Sequence, residues 1–168
     1  LTRSMVPVVS RFRQACGVEF STGNWHKGRV RHYFTVEDVN ERVPRLNRLF
    51  TEVMQIRVRL KPMYKRLEAK GFAPVGDDFE PVVPKAGADV IRERTTFRAL
   101  LDVLKGVVSE INACGCEIKD IESGLVDWYA RVGDRDVYLC WRFGEKEVGF
   151  FHELDTGFAG RRPIADLR

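Results

Sequence analysis

From Thr35 onward the apolar residues recur at alternating steps of four and three: Val39, Val43, Leu46, Phe50, Val53, Leu60, Tyr64 and Leu67, with Arg57 filling the one missing slot. Side chains so spaced fall on a single stripe of an α-helix, and the spacing predicts one long helix over 35–70. Thr35 is a favourable N-cap. Asp38, three residues on, stands where a capping box wants an acid, and Glu37 joins it at the positive end of the helix dipole. Phe34 precedes the cap as a hydrophobic staple. Pro44 is expected to kink this helix and Pro62 to bend it or stop it early, because proline removes a donor and crowds the preceding turn. Residues 71–88 are rich in proline and glycine and read as a loop. A second seam at Phe97, Leu101, Leu104, Val108 and Ile111 predicts a helix over 89–113, closed by Gly115. Two helices with matching seams form an antiparallel hairpin, and its remaining seam is expected to pair with a second copy as a homodimer.

Past Gly115 the period shortens to two. "GLVDWYARV" (124–132), "DVYLCWRF" (136–143) and "EVGFFHEL" (147–154) are β-branched and aromatic, with turn signals at Gly133–Asp134 and Gly144–Lys146. They predict a β-meander over 124–155, followed by a glycine-arginine turn over 156–168. The expected fold is α+β: a long antiparallel helical hairpin packed on a three-stranded antiparallel β-meander. It forms one domain over 33–168. Residues 1–32 lack a sustained period and read as a basic, irregular N-terminal extension.

The turn length decides where the last strand points. A short, even turn around Glu145–Lys146 sets Leu139 opposite His152 and Trp141 opposite Phe150. That register puts His152 in the apolar, helix-facing set with Val137, Leu139, Trp141, Phe150 and Leu154, while Cys140, Arg142, Glu153 and Asp155 take the other face. An odd turn inverts the assignment.

Composition narrows the class without naming a reaction. With 44% hydrophobic and 31% charged residues, the 168-residue chain fits a globular protein with a core. No apolar run approaches the roughly 18 residues that span a bilayer, and the first residues lack a secretory h-region, so a cytoplasmic protein is expected. Of the four cysteines, Cys114 and Cys116 flank a single glycine, tighter than a metal or redox C-x-x-C. All four read as reduced small hydrophobes, Cys140 as inert packing among aromatics. The charge is uneven: residues 1–34 carry six Lys/Arg against Glu19 alone, whereas residues 71–168 hold thirteen against eighteen acids. Arg11, Arg13, Lys27, Arg29 and Arg31, together with the basic first helix, therefore offer an alternative role as a nucleic-acid-associated or scaffold protein.

The chemistry concentrates in "GFFHELDTGFAGRRP", residues 149–163. One imidazole with nearby carboxylates suits a divalent transition metal such as zinc, iron, cobalt or manganese. The candidate ligands are His152, Glu145, Glu153 and Asp155. His152 and Glu153 are strand neighbours and point oppositely, so Asp155 can reach the histidine only if the chain turns at Asp155–Gly157. A neutral core histidine bonded to a carbonyl or carboxylate is the competing assignment. Arg142, Arg161 and Arg162 are candidate anion donors or partners in structural ion pairs, with Asp127 placed to meet Arg142. There is no nucleophile elbow, Walker loop or dinucleotide fingerprint, which favours a binding protein over an enzyme.

Three stretches, "FTVEDVNERVPRL", "CEIKDIESGLVDW" and "VYLCWRFGEKEVGFFHELDTGFAGRRP", resemble the uncharacterised prokaryotic family domain of unknown function 2203. The resemblance covers roughly residues 33–70 and 98–164. It implies that Pro44, Asp127, Cys140, Trp141, Gly144, Glu145, His152, Glu153, Gly157, Gly160 and Arg161 match the family pattern. Trp128–Tyr129 departs from it. The family has no assigned activity, so the resemblance implies a fold without a reaction.

Overall fold

A computed structural model describes residues 31–76 and 79–167. Helix α1 runs over Val36–Ala69 and helix α2 over Ala88–Ala113. Five strands follow: β1 (Glu117–Asp120), β2 (Leu125–Val132), β3 (Arg135–Arg142), β4 (Phe150–Glu153) and β5 (Arg162–Pro163). They form one antiparallel sheet in the order β1-β2-β3-β4-β5. The class is α+β as expected, but the sheet has five strands, not three. The two additional strands, four and two residues long, are too short to carry a period-two signal, so only backbone pairing identifies them.

The chain divides into two compact units. One includes Glu52–Val108, and the other includes the described residues up to Thr51 together with those from Ser109 onward. In the helical unit, Arg66 bonds Glu93 and Lys70 bonds Asp89, which sets the end of α1 beside the start of α2. The loop between them is held by Arg94, whose guanidinium donates to the carbonyls of Phe72, Glu80 and Pro81. α1 continues through Pro62 without stopping. Its end is a left-handed Gly71 (φ 75°), with Phe72 N–H donating back to the Leu67 carbonyl.

The capping box forms as read: Thr35 N–H donates to the Asp38 carboxylate, and Asp38 N–H to the Thr35 hydroxyl. In the sheet unit the first turns of α1 cover one face of the sheet. Phe50 packs 6.0 Å from Trp141, and Asn40 accepts a hydrogen bond from Val148 N–H at 2.8 Å. Trp128 and Trp141 are wholly buried. The Trp128 indole N–H donates to the Cys114 carbonyl at the end of α2. Gly115, at φ 80°, presses against the Phe34 ring, and a Cβ there would collide with it. The residue that closes α2 is thereby also the seat of the staple before α1.

The β3–β4 register differs from the expected one. Tyr138, not Leu139, faces His152, and Cys140 faces Phe150. β3 ends at Arg142 and β4 begins at Phe150, so the connector is longer than a tight turn and of odd length, which moves every β4 side chain to the opposite face. The helix-facing set is Val126, Trp128, Val137, Leu139, Trp141 and Phe151. His152 is not part of it, although it is buried.

Candidate metal centre

His152 lies on the face of the sheet turned away from α1, and three adjacent strands build its surroundings. The two-residue turn at Gly133–Asp134 pairs Val132 with Arg135, and counting back along the ladder sets Asp127 directly opposite Cys140. Gly133 takes φ 58°, a conformation that favours glycine in such turns. The odd β3–β4 connector then places His152 diagonal to Cys140. Asp127, Cys140 and His152 each offer a ligand atom, and these atoms lie within 4.8 Å of one another. Asp127 and His152 are each 2% exposed, and Cys140 is completely buried.

The hydrogen bonds fix the state of the histidine. His152 Nδ1 lies 2.7 Å from the Glu153 carbonyl oxygen. A carbonyl only accepts, so Nδ1 carries the proton. His152 Nε2 lies 3.1 Å from Asp127 Oδ2. A neutral imidazole would aim a lone pair at a carboxylate oxygen, so the contact calls for a proton or a cation between them. The second oxygen, Asp127 Oδ1, is buried without a hydrogen-bond partner. Burial works against a charge on His152, but the bond to Asp127, the Glu153 carbonyl and the Asp127 charge outweigh it, so its pKa stands above the ordinary 6.5. Burial, followed by the charge of Asp127, pushes the Cys140 thiol well above its usual range. With both ring nitrogens engaged, His152 is not placed to deprotonate Cys140, which sets this group apart from a Cys-His nucleophile pair.

Lys119 and Glu117 of β1 border the group. The Lys119 ammonium lies 2.7 Å from Glu117, 3.9 Å from Asp127 Oδ2 and 4.2 Å over the Tyr138 ring. The Tyr138 hydroxyl donates to Glu117, and its ring centroid is 5.4 Å from that of His152.

Of the carboxylates expected around His152, none reaches the imidazole. Glu145 bonds both of its oxygens to Arg161 Nη2 at 2.9 Å and also accepts from Arg142 N–H. The Glu153 carboxylate bonds Arg135, because strand alternation turns it to the other face, and only its carbonyl serves His152. Asp155 stays in the exposed turn after β4. Asp127 is paired with His152, not with Arg142. Arg142 is exposed and lies 5.9 Å over the Phe158 ring, and Arg162 stacks on Phe151 at 5.2 Å. Arg31 bonds Asp136, at the β2–β3 hairpin. Arg11, Arg13, Lys27 and Arg29 lie outside the described residues. Cys140 reads from the sequence as inert packing, yet the two-residue turn and period-two alternation set it opposite Asp127.

No helix among the described residues is long and apolar enough to cross a membrane. Comparison with curated proteins and with solved structures returns no significant match to either. Residues 32–164 match the model of domain of unknown function 2203, described as an uncharacterized conserved protein, and the chain belongs to that family.

Proposed function

We propose that this chain binds a divalent transition-metal ion through Asp127, Cys140 and His152. One observation carries the reading: His152 donates Nδ1–H to a backbone carbonyl while Nε2 faces a buried carboxylate and thiol. Metal-bound histidines commonly tie their second nitrogen in this way, which fixes the tautomer and aims the lone pair at the ion. The unpartnered Asp127 Oδ1 supports it, because a buried carboxylate oxygen without a donor costs free energy that a cation would offset. A thiolate among the donors favours zinc, iron or cobalt over manganese. With Cys140 deprotonated and His152 neutral, the two negative charges match a dication. Three protein donors leave a fourth position open, the arrangement used when a metal holds water or a further ligand. The function that fits is a metal-binding protein in which the ion also holds a small ligand.

Elemental analysis of the purified full chain, followed by Co²⁺ titration of metal-free protein, tests this. One equivalent of ion is expected, together with a thiolate-to-cobalt absorption band that Cys140→Ser removes. If Zn²⁺, Fe²⁺ and Co²⁺ all fail to bind stoichiometrically while circular dichroism shows a folded chain, the reading is lost.

A further inference from the structure

The segment after β4 runs back across the sheet edge as a strap, and its anchors coincide with the backbone of the proposed ligands. It begins at His152 itself: the Glu153 carbonyl that accepts from His152 Nδ1 also accepts from the backbone N–H and the hydroxyl of Thr156. It then passes Gly157 and the short helical turn Phe158–Gly160, and Arg162–Pro163 pairs with Phe150–Phe151 as β5. Between these ends Arg161 reaches inward. Its Nη2 donates to the Cys140 carbonyl at 3.2 Å and to both oxygens of Glu145 at 2.9 Å. Its guanidinium lies 4.2 Å over the Phe150 ring and 4.9 Å from Phe158. Phe150 is the strand partner of Cys140, so Arg161 sits beside the cysteine on the same face.

We propose that residues 154–163 form a gate over the Asp127–Cys140–His152 group, with the Arg161–Glu145 pair as its latch. Three features point to a hinged cover. The strap pairs with the sheet through two residues, with one further backbone bond from Ile164 N–H to the Gly149 carbonyl, whereas the latch is a charged pair that is largely shielded, with side chains 10% and 21% exposed. Arg161 Nε is buried without a partner, so the latch is not fully satisfied when closed, which lowers the cost of opening. The strap also folds against itself at one point: a Cβ on Gly160 would collide with Thr156 Oγ1 and Cβ. Opening at Arg161 would uncover Cys140, and movement at Thr156 would disturb the carbonyl that orients His152. Entry and exit of an ion or its small ligand would follow this motion, a regulation that rests on the metal reading. The cover itself does not depend on that reading.

The test separates the two. Full-length, metal-free protein is labelled with iodoacetamide, and modification of Cys140 is followed by peptide mapping, with Cys116 (buried in the same unit) as the reference. Arg161→Gln, Glu145→Gln and Gly160→Ala each weaken the strap without replacing a proposed ligand, although Arg161→Gln also removes the donor to the Cys140 carbonyl. The expected result is a Cys140 labelling rate raised about tenfold or more with Cys116 unchanged, the signature of local rather than global opening. Co²⁺ uptake should accelerate by a similar factor at unchanged stoichiometry. An unchanged Cys140 rate in all three variants overturns the proposal, as does a parallel rise of Cys140 and Cys116. Selective Cys140 labelling without Co²⁺ binding in any form would uphold the gate and sink the metal centre.

Discussion

Arg94 in the helical unit and Asp127 in the sheet are both almost entirely buried charges, 5% and 2% exposed, and their surroundings differ. Arg94 spreads its guanidinium over three backbone carbonyls and lies 4.9 Å over the Phe79 ring. Its donors tie down the loop that follows α1, so the charge works as a structural tie. Asp127 keeps one oxygen bare and holds the other against a histidine nitrogen whose tautomer is set from the far side. A buried charge that the chain satisfies with its own backbone reads as architecture. A buried charge left incomplete, beside a thiol and an imidazole, reads as a place for something else.

The largest effect should come from breaking the complete site. Arg94→Met leaves the Phe72, Glu80 and Pro81 carbonyls without their donor, and each lost part-buried hydrogen bond costs about 0.5–1.5 kcal/mol. A total loss of about 3 kcal/mol in urea denaturation is expected, with Co²⁺ binding by the remaining folded protein intact. A loss below about 1 kcal/mol would show that Arg94 is not the tie described. Asp127→Asn should give the converse result. An amide can donate to the neutral imidazole, so stability should move by less than about 1 kcal/mol, while metal affinity falls about 100-fold or more. A large loss of stability with metal binding retained would make Asp127 another Arg94. The smallest effect is the pH dependence of the metal-free protein. The folded chain raises the His152 pKa above 6.5, so the stabilisation from the imidazolium is fully present below that value and is lost as pH climbs through the higher folded value. The thermal midpoint should decline across that interval, and His152→Gln should flatten the decline. An identical slope in the variant would remove His152 as its source.

Much of the frame was legible in the chain. The four-three spacing from Val39 to Leu67 and from Phe97 to Ile111 marks both helices, and Thr35 with Asp38 marks the first cap, because helix periodicity and capping act over a few neighbouring residues. Asp127 and Cys140 could be paired by counting from Gly133–Asp134, since a two-residue turn fixes the register of a hairpin. His152 could not be placed in this way. Its face depends on the parity of the connector between Arg142 and Phe150, and that irregular path is held by contacts distant in sequence, such as Val148 to Asn40 and Glu145 to Arg161. Glu145, Glu153 and Asp155 looked like ligands because they stand near His152 in sequence. Proximity along a strand places neighbours on opposite faces, and each was directed elsewhere by partners that no local pattern specifies.

By itself, then, the sequence determined the two helices, three of the five antiparallel strands and His152 as a candidate ligand, because each follows from short-range period and side-chain chemistry. Only the tertiary structure decided which residues share its buried face. That choice depends on strand register and on long-range packing, where a one-residue shift exchanges a core histidine for a candidate ligand.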